Sequence, residues 1–314
     1  MYNIPVYEQR MLTDMKKCSI CPRSCGAERN DTNRGYCNSP DAFFVSKIML
    51  HEWEEPCIAG NGGAGTIFFG GCNLGCIYCQ NRAISRGERG EIMTESRLEA
   101  ETFSLCDQGA ATIEFVTPTH YIPRLAALLL KIKHKIPVPV VYNSGGYDSV
   151  ESLKMLDGLI DIYMPDFKYF SSDIAKKYSN ASNYCDIALA ALKEMLRQVG
   201  APEFFEDDAT KLKRGVILRH LILPSHRQDS INVLELVAKE VGAENVILSL
   251  MGQYTPDFYL EYEKEHGARE DCKNLRRRIT SFEYNSVLEA ADCLGFTGYM
   301  QDISSSSAKY TPEF

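Results

Sequence analysis

The chain has 314 residues, 45% hydrophobic and 24% charged, a globular composition long enough for one large domain with an appendage. Its 34 Lys and Arg against 42 Asp and Glu leave a net charge of −8, the opposite of what phosphate contacts demand; nucleic acid is therefore disfavoured as a partner, and Arg276-Arg277-Arg278 reads as a solvated helix face. No run reaches the ~18 apolar residues of a membrane span, and the N-terminal MYNIPVYEQRMLTDMKK lacks the apolar core and cleavage site of a secretory signal, so a cytoplasmic chain with no membrane partner is expected.

Twelve cysteines in a reducing compartment point to metal or redox chemistry rather than disulfides. Four of them, Cys18, Cys21, Cys25 and Cys37, form C-x2-C-x3-C-x11-C within CSICPRSCGAERNDTNRGYC and read as one metal site. Structural zinc, whose tetrahedron four thiolates would close, and a second iron–sulfur cluster both fit this set, with zinc placed first. Residues 1–60, rich in turn formers and poor in periodic hydrophobicity, are expected to form a small metal-bound extension and a connecting segment, with the core at 61–314. His51, Glu52, Glu54 and Glu55 fall just before that core and are expected near a substrate mouth, with no mechanism attached. Cys106, Cys185 and Cys293 lie in apolar helical patterns and are expected in the core.

From Thr66 onward, apolar or β-branched runs occur at 66–71, 112–116, 138–144, 160–167, 215–223 and 245–250. Amphipathic stretches at 95–107, 121–134, 149–157, 181–199 and 229–242 separate them, while the acidic segment 201–213 reads as an exposed loop. Continuous apolar strands joined by helical crossovers describe a buried parallel sheet. Six β/α units in series give an α/β fold, an open or partial barrel; a doubly wound sheet would produce a similar pattern. In either case the chemistry belongs at the C-terminal ends of the strands.

Directly after the first of these strands stands GGCNLGCIYCQN, in which Cys72, Cys76 and Cys79 are spaced C-x3-C-x2-C. Three thiolates so placed ligate three irons of a [4Fe–4S] cubane and leave the fourth iron open, as in catalytic rather than structural metal sites. Gly70, Gly71 and Gly75 supply the strained backbone such a wrap needs and let amide groups approach the sulfides. A zinc site is the competing reading and would need a fourth ligand from elsewhere.

This spacing, with Tyr78 before the last cysteine, resembles the signature of the radical S-adenosylmethionine (radical SAM) superfamily. The stretches HEWEEPCIAGNGGAGTIFFGGC, VTPTHY, YNSGGY, DIYMPDFK, RHLILP and LMGQYTP are similar to a subgroup related to the pyruvate formate-lyase activating enzyme. The resemblance implies that the open iron chelates the amino and carboxylate groups of S-adenosyl-L-methionine. The reduced cluster then cleaves it to methionine and a 5′-deoxyadenosyl radical, which abstracts hydrogen. It also implies a one-electron donor such as flavodoxin or ferredoxin and a protein partner, a glycyl radical enzyme or another protein or peptide substrate. An enzyme acting directly on a small molecule, peptide or RNA is the alternative, and a non-catalytic iron–sulfur electron carrier a third reading.

Around the cofactor, the end of the second strand usually carries a Gly-Gly-Glu-like motif in this superfamily; here it reads Thr117-Pro118-Thr119-His120. The role of holding the methionine amino group passes to Thr117 and Thr119, with His120 either beside the cofactor or packing. Asn143 and Ser144, followed by two glycines, are expected on the ribose or carboxylate, or in a simple turn. Asp166 and Lys168 match the positions that contact the cofactor carboxylate in glycyl radical activases. Independently, charges closing an apolar run must pair or face a polar site, so a structural ion pair also fits. Arg219 and His220 interrupt an apolar strand, which is costly unless they point into a polar cavity; Arg219 is a candidate anchor for carboxylate or ribose, against a paired structural arginine. Gln253 and Tyr254 are further candidates.

Overall fold

The computed structural model describes residues 17–30 and 32–301. The N-terminal stretch read for a signal therefore lies, apart from Lys17, outside the described residues, as do the ends of both expected segments.

Among the described residues ten strands are formed: β1 Phe43–His51, β2 Ala64–Phe69, β3 Glu91–Met93, β4 Thr112–Val116, β5 Val140–Ser144, β6 Ile162–Pro165, β7 Glu203–Phe204, β8 Leu212–Leu221, β9 Ile247–Met251 and β10 Thr297–Met300. The helices are α1 Pro56–Ala59, α2 Arg82–Ser85, α3 Glu95–Asp107, α4 Ile122–Ile132, α5 Val150–Leu153, α6 Ser172–Ser179, α7 Tyr184–Val199, α8 Arg227–Val241, α9 Asp257–His266 and α10 Ser281–Cys293. Each of the six expected strand runs overlaps a strand, and the runs 112–116, 138–144 and 160–167 contain theirs whole; all five helical stretches are helical at their centres.

The sheet order is β10-β9-β8-β6-β5-β4-β2-β1-β3, with β7 attached to β8. From β2 to β10 every neighbouring pair is parallel. Strand order follows chain order without reversal, which separates the two topologies left open by the sequence. A doubly wound sheet reverses direction at a switch point. Here crossovers of one hand advance in one direction, so the helices stack on one face and the other face is free to line a site. The fold is thus an open, mostly parallel α/β sheet of the partial-barrel type. It is not closed: β1 pairs antiparallel with β2, and β3 with β1, capping one edge.

β1 lies inside the segment expected to be extension and connector, and β10 adds a seventh parallel strand. Helices α6, α9 and α10 were likewise not singled out, and within 201–213 the Glu203–Phe204 pair forms a short antiparallel edge on β8. The buried strands read as continuous apolar runs because neither face meets solvent: β2, β4, β5 and β9 have no exposed position. α4 follows the helical period, burying Ile122, Leu125, Ala126, Leu128, Leu129 and Ile132 against the sheet. α10 begins with a capping box, Thr280 Oγ1 accepting from the Glu283 amide (3.2 Å) while Glu283 accepts from the Thr280 amide (2.8 Å).

The scattered cysteines require a correction. Cys293, expected in the core, is exposed, and Cys106 and Cys185 are half-buried; the fully buried ones are Cys57 and Cys272. Cys293 closes a short helix on its outer face, where apolar periodicity alone does not fix the side. Among the described residues no helix is long and apolar enough to cross a membrane.

Candidate active site

A cavity of about 550 Å³ opens where the parallel strands end, and residues at or just after the C-terminal ends of all seven parallel strands line it. Phe69 and Cys72 come from the β2 end, Thr117 from β4, Asn143 and Ser144 from β5. Asp166 and Lys168 follow β6, Arg219 and Leu221 lie on β8, Met251 on β9 and Met300 on β10. Cys76 and Cys79 line the same cavity, so three thiols share one wall with seven strand ends.

The loop carrying them is held by its backbone. Gly71 has φ +87, and a Cβ there would stand 2.4 Å from the Cys37 carbonyl, so only glycine makes this turn. The Cys72 amide donates to that same Cys37 carbonyl (3.2 Å), which sets the N-terminal cysteines directly behind the loop. Arg23 strengthens the junction, donating to the carbonyls of Asn73 (2.7 Å) and Ser179 (2.8 Å) and stacking its guanidinium on Tyr36 at 4.1 Å.

Each thiol has a donor nearby. The Leu74 amide points at Cys72 Sγ (3.4 Å), Ser179 Oγ donates to Cys76 Sγ (2.9 Å), and the Ser85 hydroxyl bonds Cys79. A chain of hydroxyls continues from Ser179 to Tyr169 and Tyr78, each step 2.7 Å. Burial, followed by the charge of Cys76, pushes Cys72 up to about 11 and raises Cys79. Thiols that ionise so reluctantly require a cationic metal core to hold them as thiolates.

Among the described residues no three His, Cys, Asp or Glu side chains converge on a point that a single metal ion would occupy. A cubane gives Cys72, Cys76 and Cys79 each its own iron and needs the sulfurs spread rather than converged. The donor set, the spacing and the hydrogen bonds to sulfur fit the cluster.

Six of the eight cofactor-facing candidates reach the cavity: Thr117, Asn143, Ser144, Asp166, Lys168 and Arg219. Thr117 does so with φ +57, a conformation β-branched residues rarely adopt and one that clusters at functional sites. Lys168 Nζ donates to Asp166 Oδ2 (2.5 Å), and its charge is felt by Cys76 and Cys79. Ser144 Oγ donates to Asp148 Oδ2 (2.6 Å).

Thr119 and His120 are not among the residues that line the cavity, and His120 takes the packing alternative. Thr119 Oγ1 donates to the buried Asp148 (2.7 Å), a carboxylate also bonded by the Tyr142 hydroxyl (2.7 Å). The short 3-10 turn 119–121 carries both residues under the sheet end. His120 Nε2 donates to the Gly70 carbonyl (3.0 Å), and burial with the Arg29 charge holds it neutral, at about 3. His220 also faces away, as strand alternation requires of the neighbour of an inward Arg219; its Nδ1 donates to the Phe167 carbonyl (2.6 Å).

One buried carboxyl beside the cavity, Glu114, was not read from the sequence. Glu114, fully buried on β4, accepts from Asn143 Nδ2 (2.7 Å) and Thr66 Oγ1 (3.1 Å) just beneath the lining. Glu54 and Glu55, which carried no assigned role, face Arg219, while Glu52 is exposed. Glu114 carries the signal used for Arg219, a charge inside an apolar strand run, so the same criterion would have found it.

Four cysteines of the N-terminal segment are neighbours: the charges of Cys25 and Cys37 act on Cys18, and that of Cys37 on Cys21. Burial lifts the Cys25 thiol, but backbone N–H groups of Tyr36 and Ala27 outweigh it and leave it lowered. Burial pushes Cys21 up to about 12.

Residues 66–201, which hold the cysteine loop and the first four parallel strands, match the family model described as the Radical SAM superfamily. This match supports the radical SAM superfamily, indicates an enzyme, and implies a [4Fe–4S] cluster and S-adenosylmethionine as cofactors. Over 287 residues, 88% of this chain and 75% of the relative, it is 26% identical to the uncharacterized protein MJ0674 of Methanocaldococcus jannaschii.

Among solved structures it is similar to methylornithine synthase (PylB), with 13% identity, TM-score 0.45 and 70% of this chain covered. A radical S-adenosylmethionine methyltransferase, TsrM of Kitasatospora setae, gives 13% identity, TM-score 0.45 and 65% coverage. SuiB of Streptococcus suis, bound to the precursor peptide SuiA, gives 12%, 0.46 and 75%. The chain spans 58%, 37% and 48% of these three proteins respectively.

Proposed function

We propose that Cys72, Cys76 and Cys79 hold the cluster at the wall of this cavity and that Thr117, Asn143, Ser144, Asp166, Lys168 and Arg219 bind S-adenosylmethionine across its floor. The observation that carries this is the meeting of the three thiols and the strand-end polar residues in one cavity. A bound and reduced cluster would supply the one electron for reductive cleavage of S-adenosylmethionine, and with it the power to abstract hydrogen from a substrate. Asp166 fixes the Lys168 ammonium beside the thiols, where it neutralises a cofactor carboxylate. Asn143 and Ser144 offer neutral hydrogen-bonding groups for a ribose. The aromatic and aliphatic lining, Phe68, Phe69, Ile84, Leu221 and Phe258 among it, keeps solvent and stray hydrogen donors away from the place of hydrogen abstraction.

For the substrate, the first reading is the backbone glycine of a glycyl radical enzyme, activated in trans, and it rests on the similarity of HEWEEP, YNSGGY and DIYMPDFK to activating enzymes. The second, direct modification of a small molecule, peptide or RNA, is favoured by the charged groups that line the cavity beyond the cofactor residues. An electron carrier is the least favoured reading, because a carrier has no use for a cavity at its cluster.

The N-terminal cysteines are placed here as a second metal site, zinc or iron–sulfur. The Cys72-to-Cys37 backbone bond favours a cluster that passes electrons inward from a flavodoxin- or ferredoxin-like donor, and a cytoplasmic setting suits both groups. The test is anaerobic: the reconstituted, reduced protein is mixed with S-adenosylmethionine and the glycyl radical enzymes of the same cell, with iron and zinc assayed alongside. A glycyl radical signal on a partner supports the activase; deoxyadenosine without any such signal assigns the second reading. About eight irons without zinc identifies the relay, about four irons and one zinc a structural site.

A further inference from the structure

The cavity floor holds more carboxyl groups than cations to pair with them. Glu54, Glu55 and Glu114 surround Arg219, and Asp166 divides itself between Arg219 and Lys168. None of the Arg219 contacts closes to a hydrogen bond: Glu54 Oε2 stands 3.5 Å away, Asp166 Oδ1 3.6 Å and Glu55 Oε1 3.9 Å. Glu55 Oε2, on a residue only 8% exposed, has no hydrogen-bond partner at all, and neither have Asp166 Oδ1 and Arg219 Nε. Buried carboxylate oxygens left unpaired cost too much to persist without a purpose, and here they lie on the wall of the cavity.

We propose that this acidic floor receives a protonated amine or guanidinium group of the substrate. The inference rests on the reading of the cavity as the place where hydrogen is abstracted. A polyatomic cation fits better than a metal ion, because no three of these carboxylates converge on one point among the described residues, whereas several N–H donors reach separated oxygens. Lys168 serves the thiol side, so Glu54, Glu55 and Glu114 share one guanidinium, beside the His51 imidazole that stands 3.5 Å from Glu54 Oε1 and is held toward its neutral form by burial. Burial and mutual repulsion raise Glu54 and Glu114, the state a bound cation relieves. Trp53, 61% exposed and the single tryptophan of the chain, stands on the same cavity.

Trp53 also reports binding. Its emission is followed in the anaerobic holoenzyme with S-adenosylmethionine during titration with butylguanidine, with the blocked peptide acetyl-Gly-Arg-Gly-amide, and with the neutral isostere butylurea. The expected result is a saturable change with a cationic probe and none with butylurea. Affinity should fall about tenfold in Glu55→Gln and in Glu54→Gln, the loss of one charge-assisted hydrogen bond. Tighter binding of the peptide assigns a polypeptide source, tighter binding of butylguanidine a free small molecule. An equal response to butylurea, an undiminished affinity in both folded variants, or no response to either cation overturns the inference. Deoxyadenosine is measured in the same samples: cleavage without cation binding refutes this inference alone, and cation binding without cleavage refutes only the proposed reaction.

Discussion

Replacing Glu114 by Gln should stabilise the protein at pH 8 and leave it nearly unchanged at pH 5. The side chain is fully buried on β4, and burial, only partly offset by hydrogen bonds from Asn143 and Thr66 and by the Arg219 charge, lifts its carboxyl to about 7. Its ordinary value is 4.5. Between these values the folded protein keeps a proton that the unfolded chain has released. Stability is therefore full below about pH 4.5 and is lost as pH rises through about 7. At about 1.4 kcal/mol per pH unit the loss amounts to about 3 kcal/mol by pH 8. A glutamine of the same shape escapes it, still accepting from Asn143 Nδ2 and turning an N–H to the Thr66 hydroxyl. Scanning calorimetry of the anaerobic holoenzyme without S-adenosylmethionine should show Glu114→Gln melting about 6 °C higher at pH 8, at roughly 2 °C per kcal/mol for a chain of this size. At pH 5 the two proteins should melt together. An equal shift at both pH values, or a destabilised variant at pH 8, would refute the reasoning, because the carboxylate would then be ionised and held by Arg219.

Arg219→Met should do the reverse, leaving Glu54, Glu55, Glu114 and Asp166 without their shared guanidinium. A loss of about 3–5 kcal/mol at pH 8, smaller at pH 5 where the carboxylates take up protons, is expected from the same melting experiment. Gly146→Ala should cost about 2 kcal/mol or more, since φ is +75 and the new Cβ would sit 2.1 Å from the Asp166 carbonyl, and it should loosen cofactor binding by displacing Asp166. Ser179→Ala removes the hydroxyl that donates to Cys76 Sγ; a redox titration followed by electron paramagnetic resonance should find the cluster potential lowered, with iron content unchanged.

The elements that were legible in the sequence are those with one strong signal. The six strand runs stand out because both faces of a parallel sheet are buried, and the cysteine loop because three thiols fall within eight residues of a strand end. β1 and β10 were missed for opposite reasons. FFVSKIMLH follows a polar, turn-rich segment and carries a lysine, and TGYM is too short to register beside a glycine. The distinction between barrel and doubly wound topology depends on strand order, which is a tertiary fact that no local pattern encodes. Within the site, Thr119 and His120 were drawn in by their distance from the strand end. The 3-10 turn that buries them is set by contacts with Asp148 and Gly70, distant in sequence. The Glu54–Glu55–Arg219 grouping joins the β1–α1 loop to β8, more than 160 residues apart, and only the folded sheet brings it together.

The account stands most directly on cleavage of S-adenosylmethionine by a cluster on the three-cysteine loop. The decisive measurement is 5′-deoxyadenosine formed by the reconstituted, dithionite-reduced protein beside its Cys76→Ala variant. The account predicts deoxyadenosine and methionine in equal amounts from the native chain and none from the variant. Unchanged cleavage by Cys76→Ala, or no deoxyadenosine from native protein whose cluster is intact and reduced, would contradict it.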